Sequence, residues 1–172
     1  VVNAKQVKTI LFDHNLADNL RPGTGVMVSA TISASDAREI ETQLEDRKLL
    51  MLDAPVSGGA AKAEKGEMTI MAAGSNQAFD KLEPVLDAAG DKVYRIGSEI
   101  GMGATVKIIH QLLAGIHIAA GAEAMAMAAK SNIPLDLMYE VVTNAAGNSW
   151  MFENRMKHVV DGDYTPQSMV DI

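Results

Sequence analysis

The 172 residues contain no cysteine. That excludes disulfides and thiolate metal sites and makes the reducing cytoplasm the expected compartment. Aromatic residues are sparse at 4%, with one tryptophan, so the core must be built from aliphatic side chains and some of the 11 methionines. Positive charge is also short: 15 Lys and Arg stand against 22 Asp and Glu, a formal net charge of -7 and an isoelectric point near 5.0. This balance excludes a general affinity for nucleic acid, which needs a basic face. An acidic chain that binds small anions has to gather cations or backbone amides locally. The opening residues, Val1-Val2-Asn3-Ala4-Lys5, lack the basic start and apolar run of a signal peptide. No G-x-G-x-x-G, the dinucleotide fingerprint, occurs among the 14 glycines.

What is present suits a globular protein: 48% hydrophobic and 22% charged residues, and a length for one domain or one and a half. Val1-Val2 reads as the end of a buried strand, so upstream sequence is expected. Lys5 to Phe12 has helical spacing, and Asp13 to Gly25, with Asn15, Asn19, Pro22 and Gly23, reads as a loop. Val26 to Val28 and Leu49 to Leu52 are short apolar runs suited to buried strands. Between them, Ser33 and Asp36 form a capping box that opens a helix to about Asp46. Beyond a Gly- and Ala-rich loop come a strand at Met68 to Met71, a helix capped by Ser75 and running to about Ala89, and a strand at Lys92 to Ile96. The alternation predicts an α/β layer structure with a largely parallel sheet.

After Gly97 the pattern is helical. One long helix is expected from Gly103 to Lys130, and two more near Leu135 to Asn144 and Ser149 to Val160. The composition shift at Gly97 to Gly103 divides the chain into domains 1–98 and 99–172. Ile108 to Ala122 carries no formal charge, but His110, Gln111 and His117 interrupt it, and the stretch falls short of the ~20 apolar residues of a membrane span. A helix buried on most sides, between domains or subunits, is expected there, and no membrane partner.

Three segments carry candidate chemistry. In DAPVSGGAAKAEKG, Asp53 to Gly66, a strand end delivers the Ser57 hydroxyl and the flexible amides of Gly58 and Gly59 to the carboxyl edge of a sheet, where open α/β folds bind ligands. Glycines let backbone approach an anion, and successive amides can form a nest; a simple Gly-rich turn is the alternative. In GMGATVKIIHQ, Gly101 to Gln111, Lys107 is the lone charge of an apolar helix and shares a face with His110, Gln111 and Ala114. Burial would drive its pKa toward neutrality, where it can accept and return a proton; a snorkelling lysine is the alternative. His110 and His117 read as packing residues, since neither has a carboxylate or cysteine at metal-ligand spacing, and no metal is expected. In the third segment, Trp150 either walls a pocket or packs in the core of a helix capped by Asn148. Met125, Met127, Met138, Met151 and Met156 read as core filling.

Taken in order, DAPVSGG, GEMTIMAAG, GMGATVKIIHQ and GNSWMFENR resemble the 3-hydroxyisobutyrate and related β-hydroxyacid dehydrogenases, over essentially the whole chain. The resemblance implies an α/β fold: the C-terminal part of a Rossmann-type dinucleotide-binding domain, followed by the start of an all-α domain with a long interdomain helix. It implies that Ser57, Gly58 and Gly59 bind the substrate carboxylate, that Lys107 is the catalytic acid/base, and that Gln111 supplies a substrate-binding amide. It implies NAD, or NADP, as cofactor, with Asn3 and Thr31 lining the nicotinamide. The substrate is then a small hydroxyacid, most closely a four-carbon sugar acid, with a 3-hydroxyisobutyrate or tartronate-semialdehyde type as the competing reading. A homo-oligomer formed through the helical domain is implied as well. The missing fingerprint, and the absence of a second lysine motif of the family, make this a chain expected to be truncated at both ends. Two rivals stand: a non-catalytic fragment whose long helix dimerises, and a Lys107 that forms a Schiff base.

Overall fold

The structure, a computed structural model, describes residues 1–165. Two compact units divide the chain, Val1–Ile109 and a second from His110 on.

In the first unit, Asn3 caps α1 (Ala4–Lys8) by accepting the Gln6 N–H at 2.9 Å, and the helix continues as a π-turn over Thr9–Asp13. Val1 and Val2 lie outside any strand, exposed, and the expected strand end is not found there. The region expected as a loop contains a 3-10 turn, Ala17–Asn19. Strand β1 (Gly25–Val28) leads to α2 (Ala34–Glu45), where the Ser33 hydroxyl accepts the Asp36 N–H at 3.0 Å and donates to its carboxylate at 2.6 Å. Strands β2 (Leu50–Asp53) and β3 (Val56–Ser57) follow, then a short helix α3 (Gly59–Ala63) where a loop was expected. Strand β4 (Met68–Ala73), α4 (Asn76–Ala89), capped by Ser75, and β5 (Gly90–Gly97) complete the sequence up to the long helix.

The sheet is mixed, which corrects the largely parallel expectation. β1 pairs β2 and β4 pairs β5 in parallel, but β4 is antiparallel to β2 and β3. The reason is the connection: no crossover helix on a sheet face separates β3 from β4, so the chain reverses through α3 and returns beside itself. β2 and β3 act as one strand interrupted at Ala54-Pro55, keeping one register along β4 from Asp53↔Ala73 to Ser57↔Thr69. Pro55 has no N–H for the ladder, yet its carbonyl accepts the Met71 N–H at 3.0 Å.

Side chains alternate across this sheet. On one face Val28 and Met51 pack with Ile40 and Leu44 of α2 and with Val7 and Leu11. On the other, Leu52, Ile70 and Ala72 pack with Phe79, Leu82 and Leu86 of α4. Helices on both faces explain why the strands are nearly continuous apolar runs.

The 29-residue α5 (Met102–Lys130) contributes its start to the first unit and the rest to the second. In the second unit, α5, α6 (Leu135–Thr143) and α7 (Trp150–Asp161) enclose a small core of Met125, Phe152 and Met156. Tyr139 stacks on Phe152 with ring centroids 6.0 Å apart. Several expectations are corrected here. Ser149, not Asn148, caps α7, accepting the Phe152 N–H at 3.1 Å; Asn148 instead donates to the Thr143 carbonyl and to Glu153. Trp150 is 63% exposed and belongs to no buried core cluster among the described residues. His110, His117 and Met127 are exposed as well. Finally, within this chain itself α5 leaves Leu112, Leu113 and Ile116 more than half exposed. By length and composition it is also long and apolar enough to cross a membrane, contrary to the expected shortfall. Its start belongs to the sheet unit, however, and Met125, near its end, to a helical core.

Candidate active site

Asp53 is the hinge of the site, and sequence reasoning missed it. The carboxylate ends an otherwise apolar strand and is only 1% exposed. One of its oxygens, Oδ2, accepts the backbone N–H of Gly101 at 2.9 Å and that of Ala104 at 2.8 Å. These are donors that the start of α5 would otherwise leave unpaired, and a negative charge there also opposes the positive end of the helix dipole. Burial pushes the Asp53 pKa up, while the amides of Ala104, Gly101 and Gly103 hold it down. The available signal was a lone carboxylate closing a buried strand. What it bonds to lies about fifty residues away in the chain.

The same contact brings α5 onto the strands. A side chain at Gly103 would stand 2.5 Å from the Asp53 carbonyl oxygen and 2.6 Å from that of Met71, so only glycine fits. Lys107 follows one turn later on that face, about 6 Å along the axis. It is 7% exposed, and desolvation pulls its pKa down from the ordinary lysine value. Among the described residues its ammonium has no hydrogen-bond or ion-pair partner, so nothing restores the cost of burying the charge.

Ser57, Gly58 and Gly59 lie beyond the carboxyl end of β2, past the last residue that β1 pairs. Ser57 is held by its register with Thr69, half-buried, and among the described residues its hydroxyl has no hydrogen-bond partner. Gly58 and Gly59 have φ of 147° and 70°, values that side chains strain to reach, and at Gly58 a Cβ would also meet Lys62 at 2.8 Å. The backbone at this corner therefore depends on glycine. Thr31 sits in the loop after β1, at the same carboxyl edge. Asn3 is exposed, with its side-chain oxygen engaged in capping α1. Gln111 belongs to the second unit and meets His110 Nδ1 at 3.1 Å. Thus Asp53, Ser57, Gly58, Gly59 and Lys107 share one unit, with Thr31 at the same sheet edge. A shallow depression of about 200 Å³, lined by Arg38, Glu99, Gly101 and Thr105 among others, opens instead beside the first turn of α5.

An open α/β sheet flanked by helices, with loops gathered at the carboxyl edge of the parallel pair β1–β2, is the architecture of a nucleotide-binding domain. The chain belongs to the family of the NAD binding domain of 6-phosphogluconate dehydrogenase, which matches residues 1–97. Residues 101–172 match the NAD-binding region of NADP-dependent 3-hydroxyisobutyrate dehydrogenase. The chain is 73% identical to an L-threonate dehydrogenase of Pectobacterium atrosepticum and 70% identical to one of Escherichia coli K12, over its entire length in both cases. It spans about 57% of the length of each. A solved structure of a 3-hydroxyisobutyrate dehydrogenase from Salmonella typhimurium is 67% identical and superposes with a TM-score of 0.94, covering 99% of this chain and 60% of that one. The fold is therefore of the Rossmann-type NAD-binding kind, followed by helices. The Asn3 side-chain NH₂ has no hydrogen-bond partner among the described residues, since only its oxygen is spent on capping.

Proposed function

We propose that this chain carries the substrate site of an NAD(P)-dependent hydroxyacid dehydrogenase acting on a four-carbon sugar acid, L-threonate. One observation carries the proposal: Lys107 is a buried amine, without a partner among the described residues, on the helix that Asp53 ties to the Ser57 strand. A lysine whose pKa is lowered by burial gives up its proton more readily than a solvated lysine, which suits it to proton exchange with a substrate hydroxyl.

In this reading the substrate is a secondary alcohol oxidised to a ketone. The Ser57 hydroxyl and the Gly58 and Gly59 amides bind its carboxylate and fix which carbon is presented. Lys107 takes the proton of the hydroxyl as the carbon–oxygen bond becomes a carbonyl, and returns it in the reverse direction. Gln111 holds a substrate oxygen. Asn3 and Thr31 line the nicotinamide, which when bound supplies the hydride acceptor. The working division of the chain is 1–98 for the dinucleotide-binding part and 99–172 for the helical part. The enzyme is a soluble cytoplasmic homo-oligomer that associates through its helical domain, a reading supported by the exposed Leu112, Leu113 and Ile116.

A second reading, a 3-hydroxyisobutyrate type of substrate, is favoured by the name of the Salmonella structure. Assaying the full-length protein on L-threonate and 3-hydroxyisobutyrate with NAD and with NADP, and on tartronate semialdehyde with NADH and with NADPH, decides between them. The expected result is the highest kcat/KM on L-threonate. Absence of turnover on every hydroxyacid would overturn the dehydrogenase reading in favour of a non-catalytic module.

A further inference from the structure

We propose that Asp53 is a positioning residue: its buried carboxylate clamps the start of α5 to the strand leading to Ser57, and so fixes where the Lys107 amine stands. The proposal rests on the catalytic reading of Lys107 given above.

A helix start is usually capped by a residue adjacent to it in the chain, as Ser33, Ser75 and Ser149 do here. Such a cap stabilises the helix wherever the helix happens to lie. The start of α5 is served instead by a residue 48 positions from Gly101 and 51 from Ala104. A cap from that distance does something a local one cannot, because it fixes the helix relative to another element. Asp53 reaches both amides with a single oxygen, at 2.9 and 2.8 Å, and is 1% exposed. The cost of desolvating that carboxylate is borne for a tertiary link, since a neighbouring serine or threonine would satisfy the amides without it.

Both arms of the clamp are short and stiff. On one side Ser57 follows Asp53 by four residues, along a strand whose register with β4 is fixed at both ends. On the other, Lys107 follows Ala104 by three residues of unbroken helix. Gly103 closes the fit, leaving no side chain between the helix and the Asp53 and Met71 carbonyls. A shift of α5 on the strand therefore displaces the amine relative to the serine by the same amount. Misplacing a catalytic group by about 1 Å costs about 10²-fold in rate.

The test uses the full-length protein with Asp53→Ala and the isosteric Asp53→Asn, and two readouts. The first is steady-state kinetics. The second is the titration of the Lys107 amine, followed by NMR of reductively ¹³C-methylated lysines and assigned by the loss of its signal in Lys107→Met. Asp53→Ala is expected to lower kcat by about 10²-fold with the cofactor KM unchanged. It is also expected to move the amine's midpoint up toward an ordinary lysine, as the loosened helix admits water. Asp53→Asn keeps an acceptor oxygen in place and should recover part of both effects; it carries the test alone should the alanine variant not fold. A folded Asp53 variant whose kcat and amine titration both match the parent overturns the proposal. Turnover is read against Lys107→Ala. If that variant stays active, the catalytic reading fails by itself, and the titration alone decides the Asp53 link: a shifted midpoint upholds it, an unshifted one overturns it.

Discussion

Gly103 packs so closely on Asp53 that an added Cβ would stand 2.5 Å from the Asp53 carbonyl oxygen, a distance real Cβ atoms do not reach. The neighbour is backbone of a central strand and cannot move aside. Gly103→Ala, which elsewhere in a helix would be favourable, is therefore expected to destabilise the first unit by about 1–3 kcal/mol through overpacking. Chemical denaturation would register a lower midpoint at unchanged slope. A neutral or stabilising result would mean that α5 does not rest on the sheet in this way.

The buried amine makes a prediction about pH. Burial lowers the folded-state pKa of Lys107, so between that value and the ordinary lysine value the unfolded chain binds the extra proton. Stability contributed by this residue therefore rises with pH across that window, and below it the buried charge is a net cost. Lys107→Met should raise the melting temperature at neutral pH, with the gain shrinking as the pH approaches the ordinary lysine value. Thermal melts at neutral and alkaline pH check this, and a gain that grows with pH would contradict it.

Among the described residues the Ser57 hydroxyl, on a register-held strand, has no partner, so its removal should affect binding more than chemistry. Ser57→Ala is expected to raise the substrate KM by roughly 10–100-fold, the equivalent of one hydrogen bond to a charged group, with a smaller loss of kcat. Steady-state kinetics separate the two. A fall in kcat at constant KM would move Ser57 from holding the substrate to the chemical step.

In the second unit, Ser149 alone of its segment caps α7. Ser149→Ala should cost about 1 kcal/mol, whereas Asn148→Ala should leave the cap intact. Amide exchange of the first turn of α7, Trp150 to Phe152, distinguishes the two residues.

The features legible in the sequence are those decided by near neighbours. Ser33 with Asp36 and Ser75 with Ala78 act within three residues, and both helices start where that spacing puts them. The short apolar runs became strands because helices cover the sheet on both faces, leaving no polar side to interrupt them. What failed depended on distant partners. The antiparallel setting of β4 follows from the route between Ser57 and Met68, which apolar patterning does not encode. Asp53 reads as an ordinary strand-end carboxylate until Gly101 and Ala104 are folded against it. Hydrophobicity places Met127 in the interior and leaves Trp150 open between a pocket wall and the core, because it says what a side chain prefers but not which side of a helix faces a neighbour. The choice of Ser149 over Asn148 as cap turns on a single residue of register, finer than pattern reading resolves.

The most direct test of the whole account is Lys107→Ala in the full-length enzyme, with single-turnover oxidation of L-threonate measured beside cofactor affinity. The expected result is a rate lower by about 10²–10⁴-fold, the usual contribution of a general acid/base, with cofactor affinity unchanged. A rate equal to that of the parent would contradict it, leaving Lys107 a buried lysine without a part in the chemistry.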